Sequence, residues 1–358
     1  MTDDYYRHSE GAALLLPDGT ILLAWSRFYA EPGNPLRNDN GPANIVLARS
    51  RDNGLTWSEP LPLDLPRGGI NNMQASFLQV DEVTQLYYSK RESDHASDKW
   101  LVESQDGGHH WTPPRRITPG DRRYTGPNDR MIRLKCGRIL LPCHTSVQIN
   151  SQPEFAPILG WSDDGGKTWQ MGKPVVAEPS YLDRPTPLLM HEPVLVERRD
   201  GTVWMVARST AGYFFESVSR DRGETWTSVR PTAIETLTAP PQVKRLSDGR
   251  LLMVWNPYNQ AALDHLAKVR SDANPMPEVS VGIKRTLLAA ATSDDDGKSW
   301  TPPLILADGG SDWGFAYPAI LELPAQGEVL IFVSKTSAII HPASLVQIRV
   351  PLASLPNS

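Results

Sequence analysis

Residues 162–169 read SDDGGKTW, and the same eight-position pattern, Ser-x-Asp-x-Gly-x-(Thr/Ser)-Trp, returns four more times. The other copies are 50–57 (SRDNGLTW), 104–111 (SQDGGHHW, with His110 in the Thr slot), 219–226 (SRDRGETW) and 293–300 (SDDDGKSW). Self-similarity at a regular spacing marks a repeat architecture and outranks any local signal. The box also has a physical job. Its Asp can accept backbone N–H bonds across a tight turn, its Gly supplies a positive φ, and its Trp covers the hairpin end with apolar surface.

A second repeat runs between the boxes. Apolar runs broken by a short turn recur at 14–25 (LLLPDGTILLAW), 77–89, 132–142, 195–207, 243–255 and 320–333. Each predicts a β-hairpin. Six hairpins stand against five boxes, and the boxes begin 54, 58, 57 and 74 residues apart. A unit of about 60 residues suffices for one four-stranded propeller blade. The expectation is an all-β chain, a six-bladed β-propeller filling residues 1–358 as one domain, with the boxes on its periphery. A last strand near 344–352 would pair with the N-terminal blade and close the ring, removing exposed edges. The longest interval predicts a short helix over 261–269 inside a Pro- and Asn-rich loop at a pocket mouth.

Composition narrows the partners. Net charge is −5 in 358 residues, which argues against nucleic acid or an anionic membrane. No apolar run is long enough for a membrane span. The opening MTDDYYRHSE lacks the basic and apolar regions of a leader, so the expectation is cytoplasmic, or secreted or periplasmic with a leader removed. Cys136 and Cys143 flank one hairpin; two cysteines make no disulfide scaffold, and whether they pair stays open. The eight His show no metal-ligand spacing, and no phosphate-binding Gly-rich motif occurs, so neither metal nor cofactor is expected.

The boxes resemble the Asp-box repeats of the sialidase superfamily, and the linking segments resemble that family in chain order. In DNGPANIVLARS, Asp39 matches the family's general acid/base. In HEPVLVERRDGTVWMVARS, Glu192 matches the base partner of a Tyr nucleophile, and Arg208 matches one of three Arg that clamp the substrate carboxylate. Arg285, ahead of the fifth box, matches another, and Tyr317 in WGFAYPAILEL matches the nucleophile. Asn128, Asp129 and Arg130 follow Gly126-Pro127 in a segment that resembles a border of the sialidase pocket. The chain departs from the family at its start. The first clamp Arg, two residues before a Pro, falls on Ser9, and no Pro follows. Arg7 would serve after a two-residue shift, or Arg130 from a neighbouring blade. If Ser9 or Glu10 fills the place instead, the clamp has only two matched Arg. The expectation is therefore that ordinary sialosides are poor substrates and that a different acidic sugar is preferred.

The resemblance implies a sialidase-like, exo-acting glycoside hydrolase that removes a terminal acidic sugar. The chemistry explains the residue types. A carboxylate on the anomeric carbon would repel a carboxylate nucleophile, whereas a phenol deprotonated as it attacks avoids the repulsion. Arg binds a carboxylate bidentately and keeps its charge. A separate acid must protonate the leaving oxygen and then activate water. Two rivals share the pocket: a lyase acting on a uronate, and a glycan-binding propeller that turns nothing over.

Overall fold

The computed structural model describes residues 5–31, 39–149, 152–178, 188–258, 285–337 and 343–357. The helix expected at 261–269 lies outside them. The first sheet contains β1 (Tyr5–Leu15), β2 (Ile21–Tyr29), β3 (Ala43–Ser50) and β4 (Leu61–Pro62). The second contains β5 (Asn71–Val80), β6 (Val83–Arg91), β7 (Ser97–Ser104) and β8 (Arg115–Arg116). β9 (Ile132–Arg133), β10 (Ile139–Ile149), β11 (Gln152–Ser162) and β12 (Gln170–Met171) form the third. β13 (Met190–Glu197), β14 (Val203–Ser209), β15 (Tyr213–Ser219) and β16 (Arg230–Glu235) form the fourth. The fifth has β17 (Gln242–Arg245), β18 (Leu251–Trp255), β19 (Leu287–Ser293) and β20 (Leu304–Asp308). The chain ends on β21 (Trp313–Leu323), β22 (Glu328–Ser337) and β23 (Ala343–Pro351).

Within each group the strands meander antiparallel, and the first strands of neighbouring groups pack together, except that β13 meets β10 and β11 of the third group. β1 touches β5 on one side and β21 on the other, so the arrangement closes like a propeller. The expectation of six separate blades is corrected by the pairing. Four sheets stand alone with four strands each, and the other seven strands form one sheet ordered β21-β22-β23-β1-β2-β3-β4. The cause is β23, which pairs antiparallel with β22 and bridges β1 in parallel at Ala343–Arg7. That join shields two sheet edges that would otherwise be open.

Burial follows from this geometry. Strands flanked by sheets on both faces lose the alternation of a half-exposed strand, and β14 and β18 are buried throughout. The apolar clusters fill the seams between neighbouring strand groups. Leu140, Leu159, Met205 and Phe215 join the third and fourth sheets, and Val206, Trp204, Met253 and Ala289 join the fourth and fifth. Ala24, Ile45, Phe77 and Tyr88 join the first and second.

The Ser of each box ends the third strand of its sheet, two strands out from the innermost one. Its hydroxyl donates to the box Asp at 2.8 Å in all five copies and accepts the Gly N–H at 2.7–2.9 Å. The Asp also takes the N–H and hydroxyl of the Thr or Ser four residues later. In the second box the His110 ring replaces that hydroxyl, 2.5 Å from Asp106. The box Gly is required twice over at position 223. Its φ is +91°, and a Cβ would stand 2.8 Å from Leu140 of the neighbouring sheet.

Box carbonyls are held by the preceding strand group. Arg349 donates to Asn53 O (2.6 Å), Arg49 to Gly107 O (2.8 Å), Arg115 to Gly166 O (2.6 Å) and Arg198 to Asp296 O (3.0 Å). Arg138 is the most elaborate of these latches. It binds Asp163 in its own sheet through two bonds of 2.7 Å and Glu224 of the next box at 2.8 Å. Arg138→Ala is expected to cost about 1–3 kcal/mol, because the Arg stem is buried while its acidic partners are half exposed and screened. The check is the urea midpoint, which should fall at unchanged m-value.

Candidate active site

The innermost strands share a feature that the sequence does not advertise. Glu10, Gln74, Asp129, Glu192 and Tyr317 are non-glycine residues with φ between +52° and +63°. Four of them sit where the pairing slips by an extra residue, in β1, β5, β13 and β21. Asp129 lies just before β9. Such bulges re-aim a side chain at a backbone cost of about 1–3 kcal/mol each. Here they turn Glu10, Glu192 and Tyr317 towards common electrostatic partners.

Glu192 and Arg208 form a buried ion pair of 2.6 Å. Arg208 Nε donates to the Thr238 hydroxyl at 3.2 Å, and Arg285 Nη2 donates to the Thr238 carbonyl at 2.6 Å. One threonine thus fixes both guanidiniums. Arg285 stands 5.8 Å from the centre of the Tyr317 ring. Burial, and then the Glu192 charge, push the Tyr317 hydroxyl up to about 12, although Arg208 and Arg285 pull the other way. The phenol is therefore neutral at rest. Burial also opposes charge on Glu192, but Arg208 outweighs it and holds the carboxyl below its ordinary value. Glu192 Oε2 takes its bond from Arg208, not from the phenol.

Asp39 extends towards the same group from an exposed position and pairs with Arg7. Its backbone is clamped by the second sheet. Arg91 donates to Asp39 O at 2.5 Å and to Asn40 Oδ1 at 2.9 Å, and Asn71 Nδ2 reaches Asp39 O and Gly41 O at 2.8 Å. Arg7 lies over the Phe28 ring, and its Nε donates to Ser9 Oγ at 2.8 Å. Arg7 and Ser9 are two apart on one strand, so they share a face. A two-residue shift therefore keeps the direction, and the long Arg side chain reaches Asp39, Glu10 and the field of Tyr317.

Arg130 does not join Arg7, Arg208 and Arg285. It is buried, and its guanidinium is spent on four backbone carbonyls, of Asn128 (2.8 Å), Asp129 (3.5 Å), Pro318 (3.2 Å) and Pro241 (2.6 Å). Asn128 likewise binds carbonyls, of Gly11 at 2.5 Å and Tyr317 at 3.3 Å. Asp129 accepts Gln242 at 3.1 Å beside Lys244. The side chains expected to border the substrate pocket thus bond to neighbouring inner strands. Cys136 is exposed, Cys143 is buried, and both are free thiols.

Residues 72–331 match the profile of the BNR repeat-like domain. The chain belongs to the BNR repeat-like family, within the sialidase superfamily. A sialidase of Clostridium perfringens is 25% identical in an alignment of 256 positions that covers 63% of this chain and 61% of that enzyme. This chain thus spans less than two thirds of its curated relative. A protein of unknown function from Dyadobacter fermentans has the same fold at 18% identity and a TM-score of 0.73, covering 97% of this chain and 95% of that one. The Trypanosoma rangeli sialidase solved with the inhibitor DANA has it at 12% identity and a TM-score of 0.68, over 96% of this chain and 55% of its own.

Three groups in this BNR-repeat protein escape a reading of its sequence. Thr238 sits in an unremarkable LTAPPQ run, and only folding brings both guanidiniums to it. Glu10 figures in the sequence only as a stand-in at the place of the first clamp Arg, and its burial and bulge are not visible there. A signal for it exists, since Glu10-Gly11, Glu192-Pro193 and Tyr317-Pro318 each put a polar residue before Gly or Pro ahead of an apolar run. The third is a pair of imidazoles, His144 buried and His191 partly so. Glu192 N donates to His144 Nδ1 at 3.3 Å, and His144 packs edge-on against His191, 5.5 Å away. Burial keeps both rings well below the usual His range, hence neutral.

Proposed function

We propose that the protein is an exo-acting glycoside hydrolase that removes a terminal sugar bearing a carboxylate on its anomeric carbon. The observation that carries this reading is the neutral phenol of Tyr317 beside an ionised, buried Glu192, with Arg7, Arg208 and Arg285 all within its field. The guanidiniums hold the substrate carboxylate. Tyr317 Oη attacks the anomeric carbon as Glu192 takes the phenol proton, and the aglycone oxygen leaves with a proton from Asp39. Asp39 then deprotonates a water that displaces the tyrosyl oxygen, and Glu192 returns the proton. The residues of this reading come from four strand groups whose inner strands pack against one another. We read the seven-stranded sheet as a four-stranded and a three-stranded blade joined at the Ala343–Arg7 bridge.

The test is a panel of aryl glycosides of sialic and uronic acids, with the released phenol and ultraviolet absorbance followed together. Phenol release without an unsaturated product is the expected result. An unsaturated sugar would instead establish the lyase. Binding of the same glycosides with no turnover would leave a glycan-binding propeller.

A further inference from the structure

Glu10 has no part in the reaction just described, yet it occupies the β1 counterpart of the bulges that present Glu192 and Tyr317. It is buried, at 2% exposure. Its Oε2 accepts the Ser26 hydroxyl at 3.1 Å, and its N–H donates to Ser334 Oγ at 3.1 Å. Ser26 is itself fixed, because its oxygen accepts Gln74 N at 3.0 Å. The charged groups that face Glu10 come from several elements. They are Arg7 on its own strand, Asp39 before β3, Glu192 on β13 and Lys99 on β7.

We propose that Glu10 is a specificity-determining residue that competes with the substrate carboxylate for Arg7. The inference rests on the reading of the pocket as an acidic-sugar site. When Glu10 is ionised, it acts twice in the same direction: its charge adds to that of Asp39 in offsetting Arg7, and it repels an incoming carboxylate. When it is protonated, Arg7 keeps only its exposed partner Asp39 and acts with Arg208 and Arg285 on the substrate carboxylate. Burial, reinforced by Asp39 and Glu192 and opposed by Arg7, pushes the Glu10 carboxyl up to about 7. The pocket therefore favours an anionic sugar below neutrality and loses that preference above it. Lys99, pushed down to about 8 by burial, titrates nearby, and it remains in every variant below.

The experiment is calorimetric binding of DANA, a carboxylate-bearing sugar analogue, and of its uncharged methyl ester, to the full chain. In the wild type, the DANA Kd should weaken about tenfold between about pH 6 and pH 8, as expected for a ligand that needs one group protonated near 7. The ester should show no such trend. In E10Q the trend should vanish, with affinity at the higher pH equal to that of the wild type at the lower one. S26A removes a hydrogen bond to the ionised form, so its transition should move to higher pH. A wild-type DANA affinity independent of pH overturns the role of Glu10 and leaves the acidic-sugar reading standing, as does a trend that survives in E10Q. Failure of DANA to bind wild type and E10Q at every pH overturns that reading, and this inference with it.

Discussion

Tyr317→Phe is expected to lower kcat/KM by about 10³-fold or more on the acidic glycoside that the panel identifies, because it deletes the attacking atom while keeping the ring. The ring shares a buried region with Arg208 and Arg285, and Phe fills the same volume with the same backbone demand at φ +58°. The urea midpoint should therefore hold. Removing the phenol also removes a weak acid, not a charge, since the hydroxyl is neutral at rest. The clamp keeps its charges, so DANA should bind the variant within about fivefold of the wild type, less than 1 kcal/mol. That pairing separates a nucleophile from a binding residue. A variant retaining a tenth of wild-type turnover would remove Tyr317 from the mechanism.

Much of this architecture was legible because it is local. A hairpin needs only alternating apolar residues and a turn, and the box needs only eight residues that bond among themselves, so both are visible in any window of the chain. The positions of Tyr317, Glu192, Arg208, Arg285 and Asp39 were legible through a resemblance in chain order, not through any local signal. What stayed hidden depends on distant contacts. A positive φ at Glu10 or Tyr317 leaves no glycine behind to mark it, because the surrounding sheet enforces it. Arg130 reads as a pocket cation, but its fate is decided by carbonyls 111 and 188 residues away. The merging of β21–β23 with the first four strands hangs on one parallel bridge, which no hairpin pattern encodes. The Ser26 hydroxyl that steadies Glu10 is one of many strand serines, distinguished only by what the bulge in β1 sets opposite it.

Arg208→Met is expected to destabilise the protein by about 3–5 kcal/mol near neutral pH, the usual penalty for leaving one member of a buried ion pair alone. Both partners are about 95% buried, at 5% exposure each, so water cannot replace the lost guanidinium. The pH dependence should reverse as well. In the wild type the Glu192 carboxyl titrates below its ordinary value, so its contribution is present above the unfolded-state value and is lost as the pH falls through the folded one. Without Arg208, burial is no longer outweighed, and the Glu192 carboxyl moves up. The folded variant then binds a proton more tightly than the unfolded chain. Its stability must fall as pH rises from the unfolded-state value to the new one. Urea midpoints measured near pH 5 and near pH 7.5 should accordingly converge on the wild type at the lower pH and part from it at the higher. Adding Glu192→Gln should recover most of the loss at neutral pH, because the variant's cost lies in an uncompensated charge and not in packing. Turnover would not recover, since the double variant has lost both a clamp guanidinium and the base. An Arg208→Met protein with a wild-type urea midpoint at neutral pH would mean that Glu192 finds another cation, and Arg285, held beside it by Thr238, is the group to replace next.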